Sequence, residues 1–259
     1  MNPMRDRLKA GKTVVGTAGS VFEDNMVMLA DSGLDFILFD TQHSPVEPKE
    51  YKRSFDAIKG KPITPIMRVS ANRAELICYA LDLGARGIIV PMVNTKEEAT
   101  AMVRACQYSP LGDRSNAGVR GEWGDFGDSN YREYLDTVNE ELMIIPMIET
   151  QQAIDNIDEI LSVPGIDVLL VGPSDLSIEL NVPLDYPSDA YQAGLDKIAE
   201  ACKRHGVVPG MYFIPPTMDP NFYVEKGFKF FTMPWASWAV QGIGTVSYTH
   251  LTLPTILLV

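Results

Sequence analysis

The chain has 259 residues, with 46% hydrophobic and 22% charged side chains, a globular balance that excludes a mainly disordered protein. Its 22 Lys and Arg stand against 34 Asp and Glu, a formal net charge of −12, so phosphate backbones and anionic membranes are repelled. Neither nucleic acid nor a membrane is therefore an expected partner.

In chain order, residues 1–11 are short and polar and lack the apolar core of a signal peptide. An apolar run at 13–18 follows, then a helical stretch at 25–32 closed by Gly33, and a second run at 36–41. Runs at 64–69 and 87–92 flank a helical pattern at 73–83 that ends at Gly84. Thr95, with Glu97 and Glu98 behind it, opens a helix over 96–107. Residues 113–130 form a long polar loop rich in Gly, Asp and Trp, the usual composition of a lid or binding loop, with Arg114 as a candidate substrate contact. Runs at 142–148 and 167–171 come next, then a helix over 190–205 capped by Gly206, and last the runs at 207–213 and 228–233.

Eight apolar runs, most of them continuous rather than alternating, indicate strands buried on both faces of a parallel sheet. Separated by helices, they predict an α/β fold, a single-domain (β/α)8 TIM barrel over residues 1–245. A doubly wound dinucleotide fold is disfavoured, because Gly16 and Gly19 do not make a G-x-G-x-x-G turn. From Val246 the helical pattern breaks. Residues 246–259 resemble adapter read-through more than a barrel terminus, so this tail, His250 included, is given no functional weight. Cys78, Cys106 and Cys202 lie in helical patterns without CxxC spacing and read as free buried thiols. With no run near the ~18 apolar residues of a membrane span, the expected location is the cytoplasm.

Catalytic groups of such barrels come from the C-terminal ends of the strands. Those ends carry Asp40, Gln42 and His43, then Arg68, then Glu149, then Asp175. Each has a bland alternative: Asp40 and Asp175 as helix caps, Glu149 as a surface acid at a helix start, Arg68 as an ion-pair partner. Their joint placement at one mouth favours a site. Two carboxylates on adjacent strands are the minimum protein contribution to a hard-cation centre. No lysine ends a strand, which disfavours Schiff-base chemistry, and no glycine-rich turn follows the last two strands to cradle a phosphate. His205 reads as a helix-end charge.

These segments in this order resemble the HpcH/HpaI aldolase family, metal-dependent pyruvate aldolases acting on 2-keto-3-deoxy acids. The carriers are FILFDTQH at 36–43, PIMR at 65–68, LDLGA at 81–85, GIIVPM at 87–92, PMIET at 146–150 and VGPSDLS at 171–177. The resemblance implies a divalent cation (Mg2+, Mn2+ or Co2+) held by Glu149 and Asp175 and chelated by pyruvate. The pyruvate carboxylate would also meet backbone amides around Gly172 and Ser174. Arg68 would contact the keto oxygen and His43 would act as acid and base, polarised by Asp40 or Asp82. The implied reaction is reversible cleavage of a 4-hydroxy-2-keto acid to pyruvate and an aldehyde, with oxaloacetate decarboxylation as a side activity and a homo-oligomer, a hexamer, as the assembly. Two departures stand out. Gln42 occupies the place of a frequent Glu, and Met147 that of a frequent Gln two residues before the metal-binding Glu. The rival readings are a citrate-lyase- or malyl-CoA-lyase-like enzyme and a non-catalytic barrel that binds a keto acid.

Overall fold

The computed structural model describes residues 2–118, 130–215 and 218–246. Eight parallel strands close into one barrel, β1 to β8 in sequence order, with β8 pairing back onto β1. They are β1 Val14–Ala18, β2 Phe36–Asp40, β3 Thr64–Arg68, β4 Gly87–Val90, β5 Met143–Ile148, β6 Val168–Val171, β7 Val208–Met211 and β8 Phe230–Met233. The (β/α)8 expectation is met, each strand lying inside its predicted run. Of the tail, all but Val246 lies outside the described residues, as do residues 119–129 of the long loop.

Helix α1 (Pro3–Lys9) precedes the barrel, and α2 (Glu23–Ala30) and α3 (Lys52–Ala57) follow β1 and β2. After β3 and β4 come α4 (Ala74–Asp82) and α5 (Lys96–Cys106), and α6 (Tyr131–Glu141) leads into β5. Next are α7 (Gln151–Asp155), α8 (Ile157–Leu161), α9 (Pro173–Glu179) and α10 (Asp189–His205), then α11 (Pro220–Glu225) and α12 (Trp235–Val246). Thr95 caps α5 through a reciprocal pair with Glu98. Gly206 ends α10 at φ 69°, a left-handed conformation that glycine adopts without a side-chain penalty.

Both faces of every strand are buried, which explains the continuous apolar runs. One set, including Ile37, Phe39, Ile88, Ile144, Ile148 and Val171, packs against the helices. The alternate set, including Phe36, Leu38, Ile66, Met143, Ile145 and Met147, fills the barrel. Near its base Phe36 stacks on Phe230 with centroids 4.4 Å apart. A Cβ on Gly16 would lie 2.2 Å from the Phe36 ring, so that neighbour has to be glycine. Cys106 and Cys202 are buried, and burial pushes both thiols up to about 12; Cys78, expected to be buried as well, is only half-buried.

Helix α1, which has no counterpart among the predicted elements, closes the N-terminal end of the barrel. Asn2 caps it, and its fully buried side chain donates to the carbonyls of Arg86 (3.2 Å) and Glu141 (2.9 Å) while accepting from the Thr64 hydroxyl (3.0 Å). No described helix is long and apolar enough to cross a membrane.

Candidate active site

Strand periodicity builds the site. On β5 the inward positions climb Met143, Ile145, Met147, and the next is Glu149, just past the strand end. The same count gives Phe36, Leu38, Asp40 on β2, Ile66, Arg68 on β3, Val168, Leu170, Gly172 on β6, and Val208, Gly210, Tyr212 on β7. The apolar interior therefore ends in a top layer of Asp40, Arg68, Glu149, Gly172 and Tyr212.

Asp40 and Arg68 are register partners across β2 and β3, and their side chains form a two-pronged ion pair. Arg68 Nε donates to Asp40 Oδ1 at 2.8 Å and Nη2 to Oδ2 at 2.6 Å. Asp40 also accepts from the backbone N–H groups of Gln42 (3.0 Å) and His43. Burial alone would raise the Asp40 carboxyl, but Arg68 and these amides hold it below the usual carboxylate range. Arg68 is only 2% exposed; burial disfavours its charge, yet Asp40 keeps it firmly protonated. The side-chain partner of Asp40 is thus Arg68, and its contact with His43 is through the backbone. Its carboxylate oxygens point at Arg68, because the parallel register sets the two strand ends side by side, while His43 lies exposed on the loop beyond.

Glu149 is 1% exposed and accepts from the Met92 N–H at 2.9 Å. Met92 takes a left-handed conformation, φ 56°, uncommon for a side-chain-bearing residue, that presents this amide. The loop carrying it is tied to β5 by Val93 N–H to the Met147 carbonyl (3.2 Å). Asp175, in the first turn of α9, is exposed and within hydrogen-bonding reach of Glu149. Burial, and after it the Asp175 charge, push Glu149 up to about 7 against the pull of the Met92 amide and Arg68. Gly172 allows this approach. A Cβ there would lie 2.6 Å from Glu149 Oε1 and 2.9 Å from Met147 Cε.

Two acids forced together, with the nearest arginine committed to Asp40, suit a divalent cation that relieves their repulsion. Among the described residues no third His, Cys, Asp or Glu joins them. The remaining positions are thus open to water or substrate oxygens. The amide of Gly172 is not free for an anion, since it donates to the Ile148 carbonyl at 3.1 Å. The Leu176 amide closes the first helical bond to Gly172, and Pro173 has none, so the Ser174 and Asp175 amides are the ones at the start of α9.

Asp82 and Arg114 are brought together, but not here. Helix α4 carries the chain about 13 Å away from the mouth before Asp82, its last residue. There Arg114 Nη2 donates to Asp82 at 3.2 Å, with its guanidinium carbon 4.5 Å from the Tyr108 ring centre. The two residues therefore stand apart from the Asp40, Arg68 and Glu149 layer of the same chain. Two contributors were not anticipated: the Met92 amide and Tyr212, whose ring lies 4.1 Å from the Arg68 guanidinium carbon. Counting alternate residues past β7 would have found the second.

A family model for HpcH/HpaI aldolase/citrate lyase matches residues 22–235. The chain belongs to this family. A 2-keto-3-deoxy-L-rhamnonate aldolase from Klebsiella pneumoniae subsp. pneumoniae is 32% identical over 258 residues, spanning 96% of this chain and 90% of its own length. The structure is similar to that of an HpcH/HpaI aldolase/citrate lyase family protein from Burkholderia cenocepacia J2315, with TM-score 0.83 and 28% identity over 95% of this chain and 98% of that one. It is also similar to the citrate synthase SbnG, with TM-score 0.79 and 27% identity over 95% and 96% of the two chains. Family membership makes the chain a carbon–carbon lyase of the class II aldolase type, acting on small molecules.

Proposed function

We propose that the chain reversibly cleaves a 4-hydroxy-2-keto acid of the 2-keto-3-deoxy type to pyruvate and an aldehyde. The observation that carries this reading is the buried Glu149 crowded by Asp175 one residue layer above the apolar barrel interior, with Arg68 beside it. Glu149 and Asp175 would hold a divalent cation of the Mg2+, Mn2+ or Co2+ type. That cation supplies Lewis acidity toward the oxygens of a bound 2-keto acid.

The chain's own groups then divide the work. The Ser174 and Asp175 amides at the start of α9 receive the substrate carboxylate. His43 takes the proton of the C4 hydroxyl, an imidazole being suited to proton transfer near neutral pH. The C3–C4 bond breaks to release the aldehyde, and its electron pair becomes the pyruvate enolate. Negative charge grows on the keto oxygen, where the Arg68 cation, fixed in advance by Asp40, stabilises it. Proton return to C3 completes pyruvate. Met147 in place of a polar residue leaves the wall between Arg68 and Gly172 apolar.

Assembly as a homo-oligomer is supported by α12, which leaves Trp238 and Val240 exposed, the latter 70%. A second reading, condensation rather than cleavage, is favoured by the likeness to the citrate synthase SbnG. The test is aldehyde-dependent consumption of pyruvate by the Mg2+-loaded protein across short hydroxyaldehydes. Turnover with 2-keto dicarboxylates and none with any aldehyde would favour the second reading.

A further inference from the structure

Arg68 is enclosed on more sides than its ion pair accounts for. The fork to Asp40 fixes Nε and Nη2, but it still permits the guanidinium plane to rock about the line of those two bonds. Tyr212, the inward residue just past β7, lays its ring 4.1 Å from the guanidinium carbon. Tyr212 is itself held by its N–H to the Val171 carbonyl, 3.0 Å. The third nitrogen, Nη1, has the Met147 thioether as its described partner at 3.8 Å, and a thioether is a weak acceptor. Nε and Nη2 are therefore committed, one face is covered, and Nη1 keeps its donor capacity unspent.

We propose that Tyr212 is a positioning residue: its ring holds the Arg68 guanidinium flat, so that Nη1 is the nitrogen presented to the keto oxygen of the 2-keto acid. The inference rests on the aldolase reading above and adds to it the part of the protein that fixes the arginine's plane. It also gives Met147 a role. A thioether there supports Nη1 without consuming it, where an amide oxygen would compete with the substrate for the same hydrogen.

The test is Mg2+-dependent exchange of the pyruvate C3 protons in D2O by the full chain. Tyr212→Leu removes the ring face, and the kcat for exchange should fall about thirtyfold, the size of a desolvated cation–π contact. The pyruvate KM should stay within about threefold and Mg2+ affinity should not move. Tyr212→Phe restores the face without the hydroxyl and should recover most of the rate. Tyr212→Met replaces the leucine variant if the latter does not fold. Exchange by Tyr212→Leu within about twofold of the unmodified chain overturns the inference, and so does a Phe variant as slow as the Leu variant. If the unmodified chain itself exchanges nothing with Mg2+ bound, the aldolase reading fails first, an outcome distinct from either.

Discussion

The two ends of the barrel handle their acids in opposite ways. At the base, Asp35 and Asp167 each receive one strand amide, from Val15 (2.8 Å) and Ile144 (3.0 Å). Each also receives one arginine from α1, Arg7 on Asp35 at 2.7 Å and Arg5 on Asp167 at 2.9 Å. Both of these carboxylates thus have an opposite charge. At the mouth Glu149 has one amide and a second carboxylate, and the arginine within reach is committed to Asp40. A matched layer stabilises a fold, whereas an unmatched one holds its repulsion until something positive binds. That difference marks the mouth as the candidate site.

The comparison breaks first if the mouth can be relieved without loss. Glu149→Ala should abolish Mg2+ binding in calorimetry and lower cleavage by about a thousandfold. A fully active variant would remove the cation from the account. His43→Ala should keep Mg2+ affinity yet lower cleavage by about a hundredfold, since it removes proton transfer and leaves the carboxylates in place. Equal loss of metal and activity in that variant would mean His43 is a ligand.

At the base the same logic predicts stability effects and no change in rate. Arg5→Ala should cost about 2–3 kcal/mol in urea unfolding, because it strands a buried carboxylate, with turnover per folded molecule unchanged. The cost should also depend on pH. Burial raises Asp167 to about 6 despite Arg5, so folding favours its protonated form. What that group contributes is present below its unfolded value near ~3.9 and is lost as pH rises through about 6. The Arg5→Ala deficit should therefore be larger at about pH 8 than at about pH 5. A pH-independent deficit would mean Arg5 acts by packing alone.

The smallest effect sharpens the mouth. With Glu149 near about 7, a proton must leave before a cation binds. Apparent Mg2+ affinity should fall about tenfold per pH unit below that value and level off above it. A flat profile down to about pH 5 would place the cation away from Glu149.

Much of this was legible in the chain. The eight runs located every strand to within a residue or two; Asp40, Arg68 and Glu149 stand at strand ends of one mouth, with Asp175 just after β6 in the first turn of α9. Pairing was harder to read. Asp40 and Arg68 are 28 residues apart, and their union follows from a register that apolar runs do not encode. The pairing of Asp82 with Arg114, 32 residues apart, is hidden for a related reason: a short loop after a helix can stand at either end of a barrel until helix direction is followed. The plug α1 had a signal, Asn2 at the cap and Pro3 at the first helical position, that a short polar N-terminus conceals. Tyr212 was missed because its value is contact with a guanidinium from across the barrel.

The most direct test of the mouth is pyruvate C3 proton exchange in D2O, followed by NMR, with metal-stripped protein and then with added Mg2+. It asks for enolate formation alone and needs no knowledge of the aldehyde. The account predicts no exchange without Mg2+, exchange with it, and loss of that exchange in Glu149→Ala. Exchange that is equally fast in the stripped protein, or none when Mg2+ is demonstrably bound, would contradict it.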